Sequence, residues 1–187
     1  MKPGPDRETP PPGSLRRIES EHLVLAPIPR ADALALLAGR EVPTLVAGCG
    51  WPTADTLGGL ALEVTQAVAG HETDDTDDTA NHTGWFVVLR SSGAVIGDCG
   101  WLGGPNADGT AEIGYGLAAP YRGRGYGTEA VGALVSWCRR QPGVRRLVAD
   151  VLPANAASRR LLASLSFQQA EPNGDHVRYV LPTAYGT

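Results

Sequence analysis

Six short stretches rich in apolar and β-branched residues predict β-strands. Two of them, 85–90 (WFVVLR) and 94–102, flank the turn Ser91-Ser92-Gly93 and predict an antiparallel hairpin. In 110–117 (TAEIGYGL) two glycines weaken the strand's own packing. Glycines at such positions are typical of a bulge or of a ligand that approaches the backbone closely. The predicted strands are 22–27, 85–90, 94–102, 110–117, 145–152 and 177–181.

Four longer segments carry helical patterns. In 128–140 the spacing places Val131, Leu134, Val135 and Cys138 on one helical face. The other predicted helices are 31–40, entered after Pro29; 52–69, with Pro52 in its first turn; and 155–164. Because strand, helix, strand and helix follow a run of antiparallel strands, the pattern predicts a mixed α/β domain.

Two segments lack apolar periodicity and are expected to lie outside the core. Residues 1–14 are expected to form a disordered leader, and 72–82 (ETDDTDDTANH) a mobile acidic loop. The remainder, 15–187, is expected to be a single domain. No apolar run approaches the roughly 18 residues that cross a bilayer, so we expect a soluble, cytoplasmic protein without membrane contact.

Charge and residue usage argue against several classes of function. The formal net charge of −4 argues against nucleic-acid binding, which depends on basic surface. Cys49, Cys99 and Cys138 show no CxxC spacing and the histidines show no ligand spacing, so we expect no metal site. Of the 16 lysines and arginines only Lys2, in the leader, is a lysine. A P-loop and Schiff-base chemistry both require a lysine within the fold and are therefore excluded.

The segment 122–128 (RGRGYGT) joins a predicted strand to a predicted helix and carries the strongest chemical signal. Three glycines two residues apart allow successive N–H groups to point into one concavity. The positive end of the following helix and the arginines then suit a pyrophosphate. Two alternatives remain: a glycine-rich surface turn, and a dinucleotide-binding GxGxxG loop in which Thr128 replaces the third glycine.

Together these motifs resemble the GNAT superfamily of acetyl-CoA-dependent N-acetyltransferases. Arg122, Gly125 and Gly127 match the family's coenzyme loop, Arg/Gln-x-x-Gly-x-Gly/Ala, and 111–117 is similar to its central strand. The segment 155–158 (NAAS) is similar to the Asn-x-x-Ser helix of the branch that contains ribosomal-protein N-terminal acetyltransferases.

The resemblance covers about residues 15–182. It implies a GNAT fold, with a central mixed, mostly antiparallel sheet of about seven strands, flanked by helices and splayed at the acetyl-CoA site. It also implies direct transfer of the acetyl group from acetyl-CoA, the cosubstrate, to a primary amine. The coenzyme-binding residues implied are Leu117, Ala118, Arg122, Gly123, Arg124, Gly125, Tyr126, Gly127, Thr128, Asn155 and Ser158.

Candidate catalytic residues follow from the chemistry of acetyl transfer. An ammonium must lose a proton before it attacks a thioester, and Glu112 on the central strand is the candidate base. Leu162 stands where many family members have a tyrosine acid, so Ser158 is the remaining candidate near the sulfur, with binding its expected role. Asn155 is expected to bind pantetheine amides, to cap its helix, or to do both. Ser166 replaces a customary glycine after that helix, and a left-handed cap there would cost about 1 kcal/mol.

The acceptor is less well defined. Trp51, Trp85 and Tyr115 are candidates to line its site, and the acidic loop 72–82 is a candidate to attract a cation. The acceptor is expected to be a small-molecule amine or a protein N-terminus, and a homodimer is a further expectation from the resemblance. The alternative function is a non-catalytic acyl-CoA-binding or sensing module, suggested by Leu162; a nicotinamide-binding protein is suggested only by the glycine spacing.

Overall fold

The computed structural model describes residues 17–70, 84–102 and 104–183. The leader predicted at 1–14 and the acidic loop predicted at 72–82 lie outside these residues. The described chain forms a nine-stranded, mostly antiparallel sheet with helices packed on both faces. The strands are β1 Ile18–Glu19, β2 Leu23–Pro27, β3 Val46–Ala47, β4 Gly84–Leu89, β5 Ala94–Trp101, β6 Thr110–Leu117, β7 Arg146–Val151, β8 Gln168–Gln169 and β9 Val177–Pro182.

All six predicted strands are confirmed, and the fourth, β6, has the predicted bounds. The expectation of about seven strands was too low, because β1, β3 and β8 have two residues each. A segment of two residues cannot show an alternating pattern. Such strands are defined by pairing with a neighbour, which is a property of the tertiary structure.

The four predicted helices are also confirmed: α1 Arg30–Leu37, α2 Ala54–Gly70, α3 Tyr126–Cys138 and α4 Ala156–Ser164, with a short 3-10 helix at Ala119–Tyr121. The start of α2 differs from the prediction. Its cap is Thr53, whose Oγ1 accepts a hydrogen bond from the amide of Thr56 at 3.0 Å, so Pro52 precedes the helix. In the described parts of the chain, no helix combines the length and apolar character required to cross a bilayer.

After α4, Ser166 adopts the left-handed conformation whose cost was considered from the sequence, with a φ of 68°. The amide of Phe167 donates to the carbonyl of Leu162 at 3.0 Å, and the amide of Ser166 donates to that of Ala163 at 3.0 Å. These two bonds define a Schellman motif. Leu162 and Phe167 are both buried in the main core, so the motif has the apolar contact that usually accompanies it.

The strand order is β1-β2-β4-β5-β6-β7-β9-β8, and β3 pairs with the start of β5. The central parallel pair, β6 with β7, is short: Thr110–Glu112 pair with Arg146–Val148, and the pairing stops there. Beyond Glu112, β6 stays paired with β5 while β7 stays paired with β9. The sheet is therefore splayed between the second halves of β6 and β7, as the family resemblance implied.

The two faces of the sheet support different helices. On one face α3 buries the predicted side chains Val131, Leu134, Val135 and Cys138 against the main core. On the other face α1 and α2 pack over a smaller cluster that includes Phe86. Because side chains alternate along a strand, the neighbours Trp85 and Phe86 in β4 belong to opposite cores.

Candidate functional site

A cavity of about 450 Å³ lies where β6 and β7 separate. Three parts of the chain surround it: the end of β6, the glycine-arginine loop and the first turns of α4. Asp55 of α2 also contributes. The residues that line it are Asp55, Tyr115, Gly116, Leu117, Arg122, Gly123, Gly125, Gly127, Thr128, Asn155, Ala157, Ser158, Arg160, Leu161 and Ser164.

The glycine-arginine loop adopts a shape that depends on glycine. Gly123 and Gly125 have φ values of 72° and 84°, in the left-handed region that residues with a Cβ rarely adopt. Gly125 is the N-cap of α3, and no side chain makes a capping hydrogen bond there. The first-turn amides and the positive end of α3 are therefore presented towards the cavity, an arrangement that suits an anion.

Arg122 holds this loop against the strand that precedes it. Its Nε donates to the carbonyl of Leu117 at 2.7 Å, and the side chain is otherwise exposed at the cavity. The guanidinium therefore positions the loop through Nε, in a bond that does not use its two terminal nitrogens. Such a fork can still donate charge-assisted hydrogen bonds to a phosphate.

The edge of β6 that faces the splay offers backbone groups. The amide of Leu102 donates to the carbonyl of Glu112 at 2.7 Å and the amide of Ala118 donates to that of Ile96 at 2.9 Å, so the even-numbered residues of β6 bond towards β5. In an antiparallel pair, alternate residues direct their N–H and C=O groups to the opposite edge. The odd-numbered residues 113, 115 and 117 therefore direct their backbone N–H and C=O groups to the cavity. An extended chain that carries amides can form hydrogen bonds with these groups.

The opposite wall is the start of α4. Asn155 caps this helix, since its Oδ1 accepts a hydrogen bond from the amide of Ser158 at 3.1 Å. The capping role considered from the sequence is thus confirmed. Both side chains also line the cavity, so the amide nitrogen of Asn155 and the hydroxyl of Ser158 can contact a ligand there.

Three of the residues expected to bind coenzyme lie outside this lining. Ala118 is fully buried and its amide is bonded to Ile96. Arg124 is exposed on the loop. The ring of Tyr126 lies 6.4 Å from the imidazole of His22 and packs on the main core. The other eight expected residues line the cavity.

A second cavity, of about 270 Å³, adjoins the first on the face of the sheet covered by α2. Its floor is made by glycines of β5 and β6, and its sides by apolar residues and two aspartates. It is lined by Ile28, Asp55, Thr56, Gly58, Gly59, Leu60, Leu62, Gly84, Asp98, Cys99, Gly100, Trp101, Leu102, Gly114, Tyr115 and Gly116.

Tyr115 stands where the two cavities meet, because it lines both of them together with Asp55 and Gly116. Its hydroxyl is buried and has no hydrogen bond of standard geometry, although Ser158 stands beside it on α4. Burial raises the pKa of Tyr115, and the neighbouring Ser158 hydroxyl offsets this only in part. The site therefore contains a buried phenol of raised pKa on a residue that borders both cavities, with the Ser158 hydroxyl beside it.

Glu112 lies on the α2 face of β6, on the same side as Gly114 and Gly116. It is half-buried, and its pKa is raised by burial and by the carboxylate of Asp150, while Arg178 and His176 lower it. Asp150 itself is held by Arg178 through two hydrogen bonds of 2.8 and 2.7 Å. Glu112 is absent from the linings of both cavities, so it would act on an acceptor through an intervening water.

Asp98 is a candidate functional residue that the sequence analysis missed. It lies opposite Gly116 in the β5–β6 pair and lines the second cavity. The hydroxyl of Thr56 donates to its Oδ1 at 2.8 Å and orients the carboxylate. One signal was present in the sequence: Asp98 is the one charged residue in the strand Ala94–Trp101. The contribution of Thr56 was not visible, because it comes from a helix 42 positions earlier.

The tryptophans considered for the acceptor site lie elsewhere. Trp85 is fully buried and packs edge-on against Trp137 with ring centroids 4.7 Å apart. Trp51 packs edge-on against Phe86 and borders a different cavity beside α1. Of the three aromatic candidates, Tyr115 is therefore the one at the two cavities.

Comparison with known proteins adds a family assignment. The family model described as acetyltransferase (GNAT) domain matches residues 22–168. An uncharacterized N-acetyltransferase, p20 of Bacillus licheniformis, is 37% identical over 83 residues, which are 44% of this chain and 47% of that protein. The uncharacterized N-acetyltransferase YjdG of Bacillus subtilis (strain 168) is 27% identical over 105 residues, 56% of this chain and 62% of that protein. The chain thus matches about half the length of one curated relative and less than two thirds of the other.

Solved structures show the same fold at lower identity. An acetyltransferase from Agrobacterium tumefaciens C58 aligns with a TM-score of 0.61 and 24% identity over 90% of this chain and 95% of its own. The ribosomal-protein-S5-alanine acetyltransferase from Vibrio fischeri aligns with a TM-score of 0.62 and 19% identity over 91% and 98%. RimL, a ribosomal L7/L12 α-N-protein acetyltransferase in complex with coenzyme A, aligns with a TM-score of 0.59 and 20% identity over 91% and 100%.

Proposed function

Because the chain belongs to the GNAT acetyltransferase family, we propose that it is an N-acetyltransferase that moves the acetyl group of acetyl-CoA to a primary amine. The observation that carries this proposal is the junction of two cavities at Tyr115. One cavity has the features that a pyrophosphate and an amide-bearing arm require. The other enters the same junction from the opposite face of the sheet, where an acceptor can approach.

The chain's own residues fit the coenzyme. The left-handed glycines Gly123 and Gly125 open space around the loop, since a Cβ placed at either would meet no atom within 4 Å. The uncapped start of α3 and the guanidinium of Arg122 suit the phosphates. The unpaired edge of β6 and the amide of Asn155 suit the pantetheine amides. When bound, acetyl-CoA supplies an activated acyl group as a thioester.

The reaction exchanges one bond at the acetyl carbonyl carbon for another. The acceptor nitrogen forms a bond to that carbon, the bond from the carbon to sulfur breaks, one proton leaves the nitrogen and one joins the sulfur. Glu112, on the acceptor face and with a raised pKa, is the proposed base that takes the first proton through water. Holding both reactants at one junction lowers the barrier by several kcal/mol in addition, because the entropy of bringing them together is already lost on binding.

The second proton requires an acid near the sulfur. Leu162, at the position where many family members have tyrosine, is fully buried in the core and carries no proton to donate. Tyr115 reaches the region from β6 instead, and burial raises the pKa of its hydroxyl, which lies beside that of Ser158. We assign it the role of stabilising the departing thiolate, with Ser158 beside it as a hydrogen-bond donor.

Two classes of acceptor remain in the proposal: a small-molecule amine and a protein N-terminus. The second is supported by the names of two structural relatives that act on ribosomal proteins. A non-catalytic acyl-CoA-binding module is the alternative function, supported by the absence of a tyrosine at Leu162. A homodimer stays a prediction from the sequence.

The test is a mass-spectrometric screen with acetyl-CoA against two pools, small amines and peptides with varied N-termini. In either pool, we expect a product about 42 Da heavier than its parent, the mass of one added acetyl group. Such a product supports acetyltransferase activity and identifies the class of acceptor. If neither pool contains a product although the protein binds acetyl-CoA, the result contradicts the proposed acetyltransferase activity and favours the non-catalytic binding module. Mass detection is preferable to thiol reagents because the chain has three free cysteines.

A further inference from the structure

We infer that the ion pair between Asp150 and Arg178 positions the proposed base, so that both residues act on acetyl transfer through Glu112. This inference rests on the proposed function, because it concerns the proton transfer of the same reaction. It deepens that function by assigning roles to two residues that line neither cavity. Asp150 supplies a fixed negative charge beside Glu112, and Arg178 holds that charge in place and partly offsets it.

The three side chains come from neighbouring strands and share one face of the sheet. Glu112 of β6 pairs with Val148 of β7, and Asp150 is two residues farther along β7. Arg178 of β9 lies directly opposite Asp150. Side chains alternate along a strand, and the odd-numbered neighbours of all three residues belong to the main core on the other face. Strand spacing and the rise of two residues put the Cα atoms of Glu112 and Asp150 roughly 8 Å apart.

Asp150 is held as a fixed carboxylate. Two nitrogens of Arg178 donate to its Oδ1 and Oδ2 at 2.8 and 2.7 Å, and the side-chain amide of Asn173 donates to Oδ2 at 2.6 Å. Its side chain is only 11% exposed, so these charge-assisted bonds are largely shielded from water. The bonds from Arg178 are the main reason that the pKa of Asp150 is lowered. Because both oxygens accept bonds and the group stays ionised, Asp150 is suited to supply a charge and poorly suited to accept a proton.

The turn before β9 is tied to the same carboxylate. Asn173 and His176 exchange backbone hydrogen bonds of 3.0 and 3.1 Å, which close the turn. The bond from Asn173 to Asp150 then fixes this turn against β7. His176 is thereby kept near Glu112. The network thus brings a carboxylate, a guanidinium and an imidazole to the surroundings of the proposed base.

The charges around Glu112 act in opposite directions. Burial is the main cause of its raised pKa, the charge of Asp150 raises it further, and Arg178 and His176 lower it. Loss of Asp150 should therefore favour ionisation of Glu112, and loss of Arg178 should oppose it, although both changes break the same ion pair. A purely structural pair would give the two variants the same effect. This contrast separates an electrostatic role from a structural one.

Other charged side chains near these elements stay the same in the comparison. On β5 the residue bonded to Glu112 is Leu102, whose amide donates to its carbonyl at 2.7 Å. The charged side chains of the described neighbouring elements include Asp55 of α2, Asp98 of β5, Asp108 and its ion-pair partner Arg146 beside the starts of β6 and β7, and Asp175 of the turn before β9. These groups are present in wild type and in every variant, so differences between the proteins report the Asp150–Arg178 pair.

The experiment titrates Glu112 directly in the whole chain, labelled with carbon-13 at the glutamate carboxyl groups. NMR detects these carbons, and the signal of Glu112 is identified by its loss in Glu112→Gln. We expect its midpoint to fall by about half a pH unit in Asp150→Asn and to rise by a similar amount in Arg178→Gln, as for a unit charge roughly 8 Å away in a mostly aqueous environment. Arg178→Lys keeps the charge and should restore the wild-type midpoint.

A control and a kinetic measurement complete the test. Arg90→Gln removes an arginine that is ion-paired with Glu19 at 3.8 Å at the β1–β2 edge of the sheet, and it should leave the Glu112 midpoint unchanged. The kinetic measurement is kcat/KM against pH, with the first amine or peptide that the acetylation screen identifies. Its acidic limb should move with the Glu112 midpoint, to lower pH in Asp150→Asn and to higher pH in Arg178→Gln.

Several results would overturn the inference. These are shifts of the same sign in the two variants, no shift in either, or an Arg178→Lys midpoint equal to that of Arg178→Gln. A folded Asp150→Asn enzyme without an acidic limb would also overturn it, because Asp150 would then be the base itself. If Asp150→Asn does not fold, the two variants of Arg178, whose side chain is 32% exposed, decide the question by themselves.

The outcomes also separate this inference from the proposed function. Opposite shifts of the Glu112 midpoint without any acetylated product would support the role of the ion pair at Glu112 and contradict the acetyltransferase. Acetylation by a protein whose Glu112 midpoint no variant moves would support the acetyltransferase and overturn the inference.

Discussion

At the residue scale, Tyr115 and Glu112 show how neighbours on one strand acquire different chemistry. They are three positions apart on β6, so their side chains lie on opposite faces of the sheet. Tyr115 packs against the main core, with its hydroxyl buried beside Ser158. Glu112 lies on the other face near Asp150, Arg178 and His176. A phenol that stays protonated and a carboxyl of raised pKa therefore flank the splayed edge.

Replacing Tyr115 by phenylalanine tests its role at the leaving sulfur. Because the hydroxyl makes no hydrogen bond of standard geometry and has only Ser158 beside it, Tyr115→Phe should fold with close to the stability of wild type. We expect kcat to fall about tenfold to hundredfold, the lower part of the range for general acid catalysis, with the Kd for acetyl-CoA unchanged. Steady-state kinetics and calorimetry measure the two quantities.

A matched control for this change is Tyr121→Phe. Tyr121 is also partly buried, and its hydroxyl accepts a hydrogen bond from the amide of Cys49 at 3.2 Å, away from both cavities. This variant should keep its kcat. A Tyr115→Phe enzyme with full kcat would remove the tyrosine from the mechanism and leave Ser158 as the donor.

Glu112→Gln tests the proposed base through its pH dependence. An amine with a pKa of about 8 to 10 deprotonates by itself at alkaline pH, so the base matters most near neutrality. We expect kcat/KM to fall on the order of tenfold to hundredfold at pH 7, and by much less near pH 10. The exposed residue Glu171 provides the control Glu171→Gln. A loss of the same size at both pH values would argue against the base.

The raised pKa of Glu112 also predicts an effect on stability with a definite sign. Burial, reinforced by Asp150, opposes ionisation in the folded state, so the folded pKa exceeds the unfolded one. The free energy of unfolding of wild type should therefore decrease, relative to Glu112→Gln, as the pH rises from the ordinary glutamate value through the folded pKa. Urea denaturation of both proteins at pH 4 and pH 7 measures the difference. This readout does not depend on turnover and shows whether the environment of Glu112 is as described.

At the scale of elements, the segment from β6 through the glycine-arginine loop to α3 forms the coenzyme side of the site. The strand ends at Leu117, Arg122 ties the loop back to that end, and α3 begins with an uncapped turn at Gly125. Closer to α4, a Cβ at Gly127 would approach Leu161 to 3.0 Å, so glycine permits the two helices to pack. The glycines therefore serve two purposes, the shape of the loop and the approach of α4.

Comparison of two glycines separates ligand binding from backbone strain. Gly125 and Gly93 both have positive φ, 84° and 71°, and a Cβ at either meets no atom within 4 Å. Alanine should cost each variant about 1 to 2 kcal/mol of unfolding free energy, because both positions are left-handed. Only Gly125→Ala should also weaken the binding of acetyl-CoA, by at least several-fold. Gly125→Trp should weaken this binding further. Equal coenzyme affinity in the Gly125 and Gly93 variants would contradict the assignment of the loop.

At the scale of the whole molecule, the open sheet joins two half-sites. The strands β6 and β7 are held together by three residue pairs and then diverge, each kept in place by its outer neighbour. On the α3 side, Glu129 ties this helix to the first strands: it accepts hydrogen bonds from the hydroxyl of Ser20 and the amide of His22, both at 2.7 Å. Although burial raises the pKa of Glu129, these bonds lower it overall.

Because the proposed coenzyme site is built from β6, α3 and α4 together, binding should stabilise the entire fold. Acetyl-CoA at 100 times its Kd should add about 2.7 kcal/mol to the free energy of unfolding. For a chain of this size that corresponds to a rise in Tm of about 5 to 10 °C, while NAD at equal concentration should produce none. Thermal unfolding with each ligand measures the shifts. Protection by NAD instead would revive the dinucleotide-binding alternative.

The sequence by itself determined the elements whose signals are local. The apolar strands 85–90 and 94–102, the helical face of α3 and the glycine-arginine loop all depend on residues close together in the chain, and each was predicted. Asn155 as a helix cap belongs to the same group. For these features a few neighbouring side chains suffice, because backbone sterics and local hydrogen bonds decide the conformation.

Only the tertiary structure decided which residues meet. The two-residue strands exist through their partners. Asp98 acquires a site only because α2 places Thr56 against it and β6 places Gly116 opposite. Contacts between segments 40 or more positions apart depend on packing of the whole core, and no local pattern in the sequence encodes them.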